Sequence, residues 1–158
     1  MMEVYHTSDV IVEHPDTIHS RDALDFGRGG YFTSIRGQAV KYAYRFIRRN
    51  KSAWLNVYDF SNDWSGWKVK TFTEYNEEWL DFVMKCRNGE AVGDFDLIIG
   101  GIADDKVFDT VDLYTEALIS KDEAIRRLAY ISPNIQYCIR TDAMLQQCLT
   151  FKEAISIP

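Results

Sequence analysis

The sequence predicts a mixed α+β fold built as one domain over residues 1–158. Three observations lead there. Strand and helix signatures follow one another without the regular βαβ alternation of a doubly wound sheet. The 158 residues are 46% hydrophobic and 14% aromatic, enough for a sizeable core and too apolar for a disordered chain. No low-complexity tract, internal repeat or Pro/Gly/Ser linker divides the chain.

Taken in order, residues 2–6 alternate like a short strand, and a loop rich in Asp, His and Pro runs on to Arg21. Residues 26–31 (FGRGGY) form a glycine turn leading into a short strand at 31–34. Residues 37–50 predict a helix, because Ala39, Ala43, Phe46 and Ile47 recur on one face, with Lys41, Arg45, Arg48 and Arg49 outside. Residues 54–60 (WLNVYDF) are the clearest strand. Thr71-Phe-Thr-Glu74 reads as a capping box for a helix with Tyr75, Trp79, Phe82, Val83 and Cys86 inward, ended by Asn88-Gly89. Residues 95–100 form a buried strand. Ser120-Lys-Asp-Glu123 caps a helix that stops at Ser132-Pro133. Residues 135–139 follow as a strand, 142–149 as a short helix and 153–157 as a last edge strand.

Composition excludes several functions. With 18 Lys+Arg against 24 Asp+Glu the net charge is −6, which argues against a protein living on non-specific phosphate contacts. The imbalance is uneven: residues 1–52 carry net +2 and residues 53–158 net −8, so a local basic face remains available in the first third. The most apolar stretch, residues 95–103, is too short to span a bilayer, and the N-terminus lacks the layout of a signal peptide. Cys86, Cys138 and Cys148 share no CxxC spacing and read as reduced, core-filling thiols of a cytoplasmic protein. His6, His14 and His19 lack metal-ligand spacing, so no metal site is expected.

Three segments carry chemistry. Tyr5-His6-Thr7-Ser8 puts an imidazole and two hydroxyls at a strand end, suited to sugar hydroxyls, with backbone beside them suited to a carboxamide. In Asp25-Phe-Gly-Arg-Gly-Gly-Tyr31-Phe32-Thr33, the glycines admit close approach and the aromatic after them can stack on a planar ring. This is not the GxGxxG dinucleotide fingerprint. Tyr42, on the following helix beside Ala39 and Phe46, is expected to face the strand and a ring held there. Each segment has an ordinary alternative: a turn cap, a hairpin turn and a core tyrosine.

In this order, YHTS, FGRGGYFT and the later tyrosine resemble the ADP-ribosyltransferases of the poly(ADP-ribose) polymerase and diphtheria-toxin type. Over nearly its whole length, in VYHTSD, HSRDALDFGRGGYFTS, VYDF, EWLDFV, FDLIIGGIADDKV and NIQYCIRTDAML, the chain also resembles an uncharacterised bacterial family grouped with them. The resemblance implies an ADP-ribosyltransferase-like fold of split mixed sheets with flanking helices, and NAD as co-substrate. It implies that His6 contacts the nicotinamide ribose, that Tyr31 and Tyr42 sandwich nicotinamide, and that Gly29 and Phe32 belong to the surrounding motif. Thr7 stands where such enzymes usually carry Gly, whose backbone pairs with the carboxamide; Ser8 follows it.

By order, Gln136 occupies the third catalytic position, often Glu in these enzymes. An amide accepts a hydrogen bond from ribose but cannot act as a general base. Asp25, Asp104 and Asp105 are the carboxylates placed to compensate, and Arg21 and Arg28 the cations placed for the pyrophosphate. The expected function is an NAD-dependent ADP-ribosyltransferase, of the kind found as the toxin of a toxin–antitoxin or phage-defence pair. Its expected partners are an acceptor of undetermined class and a small antitoxin protein, with Trp64 and Trp67 in the acidic two-thirds as a partner surface. The alternatives are a non-catalytic NAD or ADP-ribose binding module and an RNA-directed activity using the basic helix face.

Overall fold

The computed structural model describes residues 1–19, 24–103 and 105–158. Two sheets form a mixed α+β architecture. The first is antiparallel, in the order β1 (Met2–Ser8), β3 (Ala53–Phe60), β7 (Leu149–Ile157). The second has the order β2 (Gly30–Phe32), β6 (Ile135–Ile139), β5 (Leu97–Gly101), β4 (Val69–Thr71), and only its β4–β5 pair is parallel. Five helices are described: α1 (Arg36–Ile47), α2 (Glu77–Arg87), α3 (Asp105–Thr115), α4 (Lys121–Leu128) and α5 (Asp142–Cys148). None is long and apolar enough to cross a membrane among the described residues.

β3 is the centre of the first sheet, which is why WLNVYDF reads so clearly: Leu55 and Val57 are buried on one face and Tyr58 and Phe60 are buried too. Its buried Asn56 is not a core defect. The Asn56 amide accepts from Val12 N–H (2.9 Å) and donates to the Val10 carbonyl, while Tyr58 hydroxyl donates to the Val12 carbonyl at 2.5 Å. These bonds dock the loop after β1 onto the sheet, and Asp142 at the start of α5 holds its far end through the Thr17 N–H at 2.9 Å.

The sheets meet at one bridge. Tyr5 N–H donates to the Thr33 carbonyl (2.8 Å) and Thr33 N–H to the Tyr5 carbonyl (3.0 Å). α1 covers this seam, packing Ala39 with Tyr5, Leu55 and Val57, and Ala43 is buried on the same helix. On the other side α2, α3 and α4 close the core of the second sheet around Trp79, Leu80, Val107 and Leu128.

Several elements differ from the sequence reading. The Thr71–Glu74 capping box does not cap: Thr71 ends β4, and α2 starts later, at Asn76, whose side chain accepts from Trp79 N–H. Asn76 competes successfully because Phe72 and Tyr75 are drawn into the core, which keeps the chain between them out of the helix. α3 was not expected at all; its Val107 and Val111 are too sparse for a clear stripe until α4 supplies the rest of the surface. α4 does start at Ser120, which accepts from Glu123 N–H at 3.1 Å, but ends at Leu128, short of Ser132-Pro133. The last strand is longer than the sequence suggests, yet lies on an edge as expected.

Candidate functional site

A broad cleft of about 2180 Å³ opens where β1, β2 and α1 meet the start of β6. It exceeds the roughly 300–1,000 Å³ of ordinary small-ligand pockets. His6, Thr7 and Ser8 enter from β1, Gly29, Tyr31 and Phe32 from β2 and its turn, Tyr42 from α1 and Gln136 from β6. These eight residues nominated from sequence therefore share one concavity.

His6 is fixed in tautomer. Its Nδ1 lies 3.0 Å from the Tyr31 carbonyl oxygen, which can only accept, so Nδ1 carries the proton and Nε2 is an acceptor. Burial pushes the imidazole pKa below its ordinary 6.5, more than that hydrogen bond raises it, and keeps the ring neutral at pH 7. Thr7 is buried, its hydroxyl donating to the Ala39 carbonyl of α1 at 2.6 Å. Tyr5 points its N–H and C=O toward Thr33, and backbone groups two residues apart in a strand point the same way. The N–H and C=O of Thr7 accordingly face the outer edge of β1, away from β3. Ser8 is held locally, its hydroxyl 3.4 Å from both Asp9 carboxylate and Val10 N–H.

Tyr31 locks its own turn. Its hydroxyl donates to the Gly27 carbonyl (2.6 Å) and accepts from Phe26 N–H (3.0 Å), and its ring stacks on Phe26 with planes 5° apart. Burial drives its phenol far above the ordinary tyrosine pKa, so it remains protonated. Gly27, at φ +79°, makes the turn possible. Gly29 lies so close to β6 that a Cβ there would sit 2.7 Å from the Ile139 carbonyl oxygen.

Tyr42 corrects an expectation. Ala39 and Ala43 make the face of α1 that packs on the strands, and Tyr42 stands 43% exposed at the cleft rim. Its ring meets Phe46 edge-on at 5.8 Å, and the Arg45 guanidinium lies 4.8 Å over it. Gln136 pairs with Gly100 and lies two residues before Cys138, the partner of Tyr31. Strand alternation puts Gln136, Cys138 and Tyr31 on one sheet face. Asn134 also lines the cleft, with a buried Oδ1 that has no hydrogen-bond partner among the described residues.

Of the other nominated groups, Asp25 lines the cleft as well, and the rest lie elsewhere or outside the described residues. Arg28 lines a second, smaller pocket with Cys86, Glu90 and Arg140, not the cleft; the turn at Gly27 and the packing of Gly29 on β6 throw the residue between them to the far side. Arg21 and Asp104 fall outside the described residues, and Asp105 opens α3. Asp25 is engaged: one carboxylate oxygen receives Arg87 Nη2 (2.6 Å) and Nε (2.9 Å), and the other receives Ala103 N–H at 2.7 Å. Trp64 and Trp67 pack on the core formed by Phe60 and Tyr137, and Trp64 Nε1–H donates to the Ser61 carbonyl, so they anchor a loop instead of offering an open partner surface. The cysteines are free and buried, and burial pushes the Cys86 thiol up to about 11 and Cys138 up to about 12, which leaves both unreactive at neutral pH.

The Lys and Arg residues that do line the cleft are Lys41 and Arg45 of α1, Arg48 at its C-cap and Arg87 of α2. The sequence puts the first three on the outer, basic face of the helix; which way that face turns is decided by packing. The fold and cleft thus define an α+β protein with a neutral histidine, a fixed tyrosine ring and a cationic wall in one concavity. By sequence the chain belongs to a protein family of unknown function, DUF3990, whose model matches residues 2–151. Comparison with curated proteins finds no match. Comparison with solved structures finds none either.

Proposed function

We infer that the chain is an NAD-dependent ADP-ribosyltransferase that breaks the nicotinamide–ribose bond and passes ADP-ribose to an acceptor. The observation that supports this reading best is the convergence of His6, Tyr31, Tyr42 and Gln136, far apart in sequence, in one cleft. Nicotinamide stacks on the face of Tyr31 not taken by Phe26, and Tyr42 covers it when Arg45 yields its place on the ring. Each aromatic face attracts the cationic pyridinium by about 1 kcal/mol or more. Thr7 N–H and C=O, on the outer edge of β1, match the acceptor and donor of the carboxamide. His6 Nε2 accepts from a ribose hydroxyl and the Gln136 amide oxygen from another. Arg45 supplies charge for the pyrophosphate. In the cell this activity suits the toxin of a toxin–antitoxin or phage-defence pair, restrained by a small antitoxin protein.

The test is nicotinamide release from NAD by the purified chain, with Tyr42→Ala and His6→Ala as controls. Tyr42 is the cleaner control because it is exposed, whereas Tyr31→Ala also removes the bonds that close the glycine turn. Release lost in both folded variants supports the reading; no release and no NAD binding overturns it. Binding without release favours a second reading, a non-catalytic NAD or ADP-ribose binding module. Two observations favour that second reading: Gln136 is an amide where a base is wanted, and the Asp25 carboxylate is engaged by Arg87 and Ala103.

A further inference from the structure

Residues 26–58 contain seven Lys or Arg and no Asp or Glu, while the rest of the chain carries net −13. Most of that charge lies on α1 and just after it. Lys41 and Tyr44 on this helix and Arg48 at its C-cap, still in helical backbone angles, follow at i, i+3 and i+7, so they form one stripe, and all three line the cleft. Tyr44 is 49% exposed, and among the described residues neither Lys41 nor Arg48 has a carboxylate partner. The loop after β1 adds Val10 and Ile11, both exposed, to the same cleft. Cations interleaved with exposed aromatic and apolar side chains match a strand whose phosphates and unstacked bases are both accessible. A duplex hides its bases, and its broad polyanionic surface would meet the acidic remainder of the chain.

We propose that the Lys41–Tyr44–Arg48 stripe seats a single-stranded nucleic acid, one base of which is the acceptor of ADP-ribose in the cleft. This rests on the transferase reading above. The cleft is wide enough for an acceptor beside a dinucleotide. The chemistry agrees, because Gln136 cannot take a proton and the acceptor must attack with a lone pair it already has. A nucleobase ring nitrogen does so, whereas a hydroxyl first needs a base. The nitrogen lone pair forms the bond to ribose C1′. The C1′–N1 bond to nicotinamide breaks with its electron pair, which discharges the pyridinium and releases neutral nicotinamide. Any proton on the attacking nitrogen passes to water.

The experiment measures fluorescence anisotropy of the full chain with labelled 20-nucleotide single strands of RNA and DNA and with the matching duplexes. Nicotinamide release and transfer of radiolabel from NAD to the strand are followed in parallel. Single strands are expected to bind at least tenfold tighter than duplexes, and Tyr44→Ala to weaken binding about fivefold to a hundredfold, as loss of a base-stacking platform does. The Lys41→Ala/Arg48→Ala pair should weaken it further and flatten its salt dependence. All three side chains are exposed, so these variants are expected to fold as the parent does. Equal duplex binding, no strand binding, or binding indifferent to these substitutions overturns the proposal. Polyglutamate binding as tightly as the strand overturns it in favour of an acidic protein partner. Nicotinamide release with no label on the strand overturns the acceptor assignment alone. Strand binding without NAD binding overturns the transferase reading and the acceptor role with it.

Discussion

The hydrogen bond from His6 Nδ1–H to the Tyr31 carbonyl ties the protonation of one residue to the geometry of another. Because burial holds the folded-state pKa below 6.5, the unfolded chain takes up a proton at higher pH than the folded chain does. The stability this group contributes is therefore complete above pH 6.5 and is lost as the pH falls below it toward the folded value. Chemical denaturation at pH 7.5 and 5.5 should show a larger loss in the parent than in His6→Asn, and an NMR titration should find the imidazole neutral at pH 7. Tyr31 separates ring from hydroxyl. Tyr31→Phe removes a donor and an acceptor from the Phe26–Gly27 turn and should cost about 1–2 kcal/mol of stability. It retains the stacking face, so NAD affinity, measured by calorimetry, should hold.

Helix starts are decided by which side chain reaches a free N–H, and α2 illustrates it. Thr71 and Asn76 both sit ahead of the helical stripe, but only Asn76 accepts from a first-turn amide. Asn76→Ala should cost about 1 kcal/mol in thermal or denaturant unfolding, and Ser120→Ala at the start of α4 a similar amount. Thr71→Ala, at an exposed strand position, should stay within about 0.5 kcal/mol of the parent. The β2–β6 pair depends on a different device. A Cβ at Gly29 would press on the Ile139 carbonyl and on Cys138 Sγ, so Gly29→Ala should cost about 1–3 kcal/mol. It should also loosen the tyrosine loop, read as faster amide exchange at Tyr31 and Phe32.

At the scale of the whole molecule, the Asp25–Arg87 pair links the tyrosine loop to the end of α2, and through Ala103 N–H to the segment after β5. Both side chains are largely buried, at 14% and 20% exposure. Losing one partner strands the other in a poorly solvated place. Asp25→Ala should destabilise by about 3 kcal/mol in denaturant unfolding, and Arg87→Ala comparably. Were Asp25 a catalytic acid instead, its loss would spare stability and change only turnover.

Local patterns were legible in the chain itself. The strand at 135–139, the Ser120 cap, the alternation of WLNVYDF and the glycine turn before Tyr31 depend on neighbours within a few residues, and they appear where the sequence puts them. The nomination of His6, Tyr31, Tyr42 and Gln136 was legible as well, but not their meeting, which the bridge between Tyr5 and Thr33 and the β2–β6 pairing bring about. Direction was what tertiary structure alone decided. Arg28 turns away because two glycines shape its loop, Asp25 is taken by an arginine 62 positions on, and the cations of α1 turn into the cleft because Ala39 and Ala43 are the face that packs. Sequence spacing states which residues share a face; only the packing of the sheets and helices states what that face looks upon.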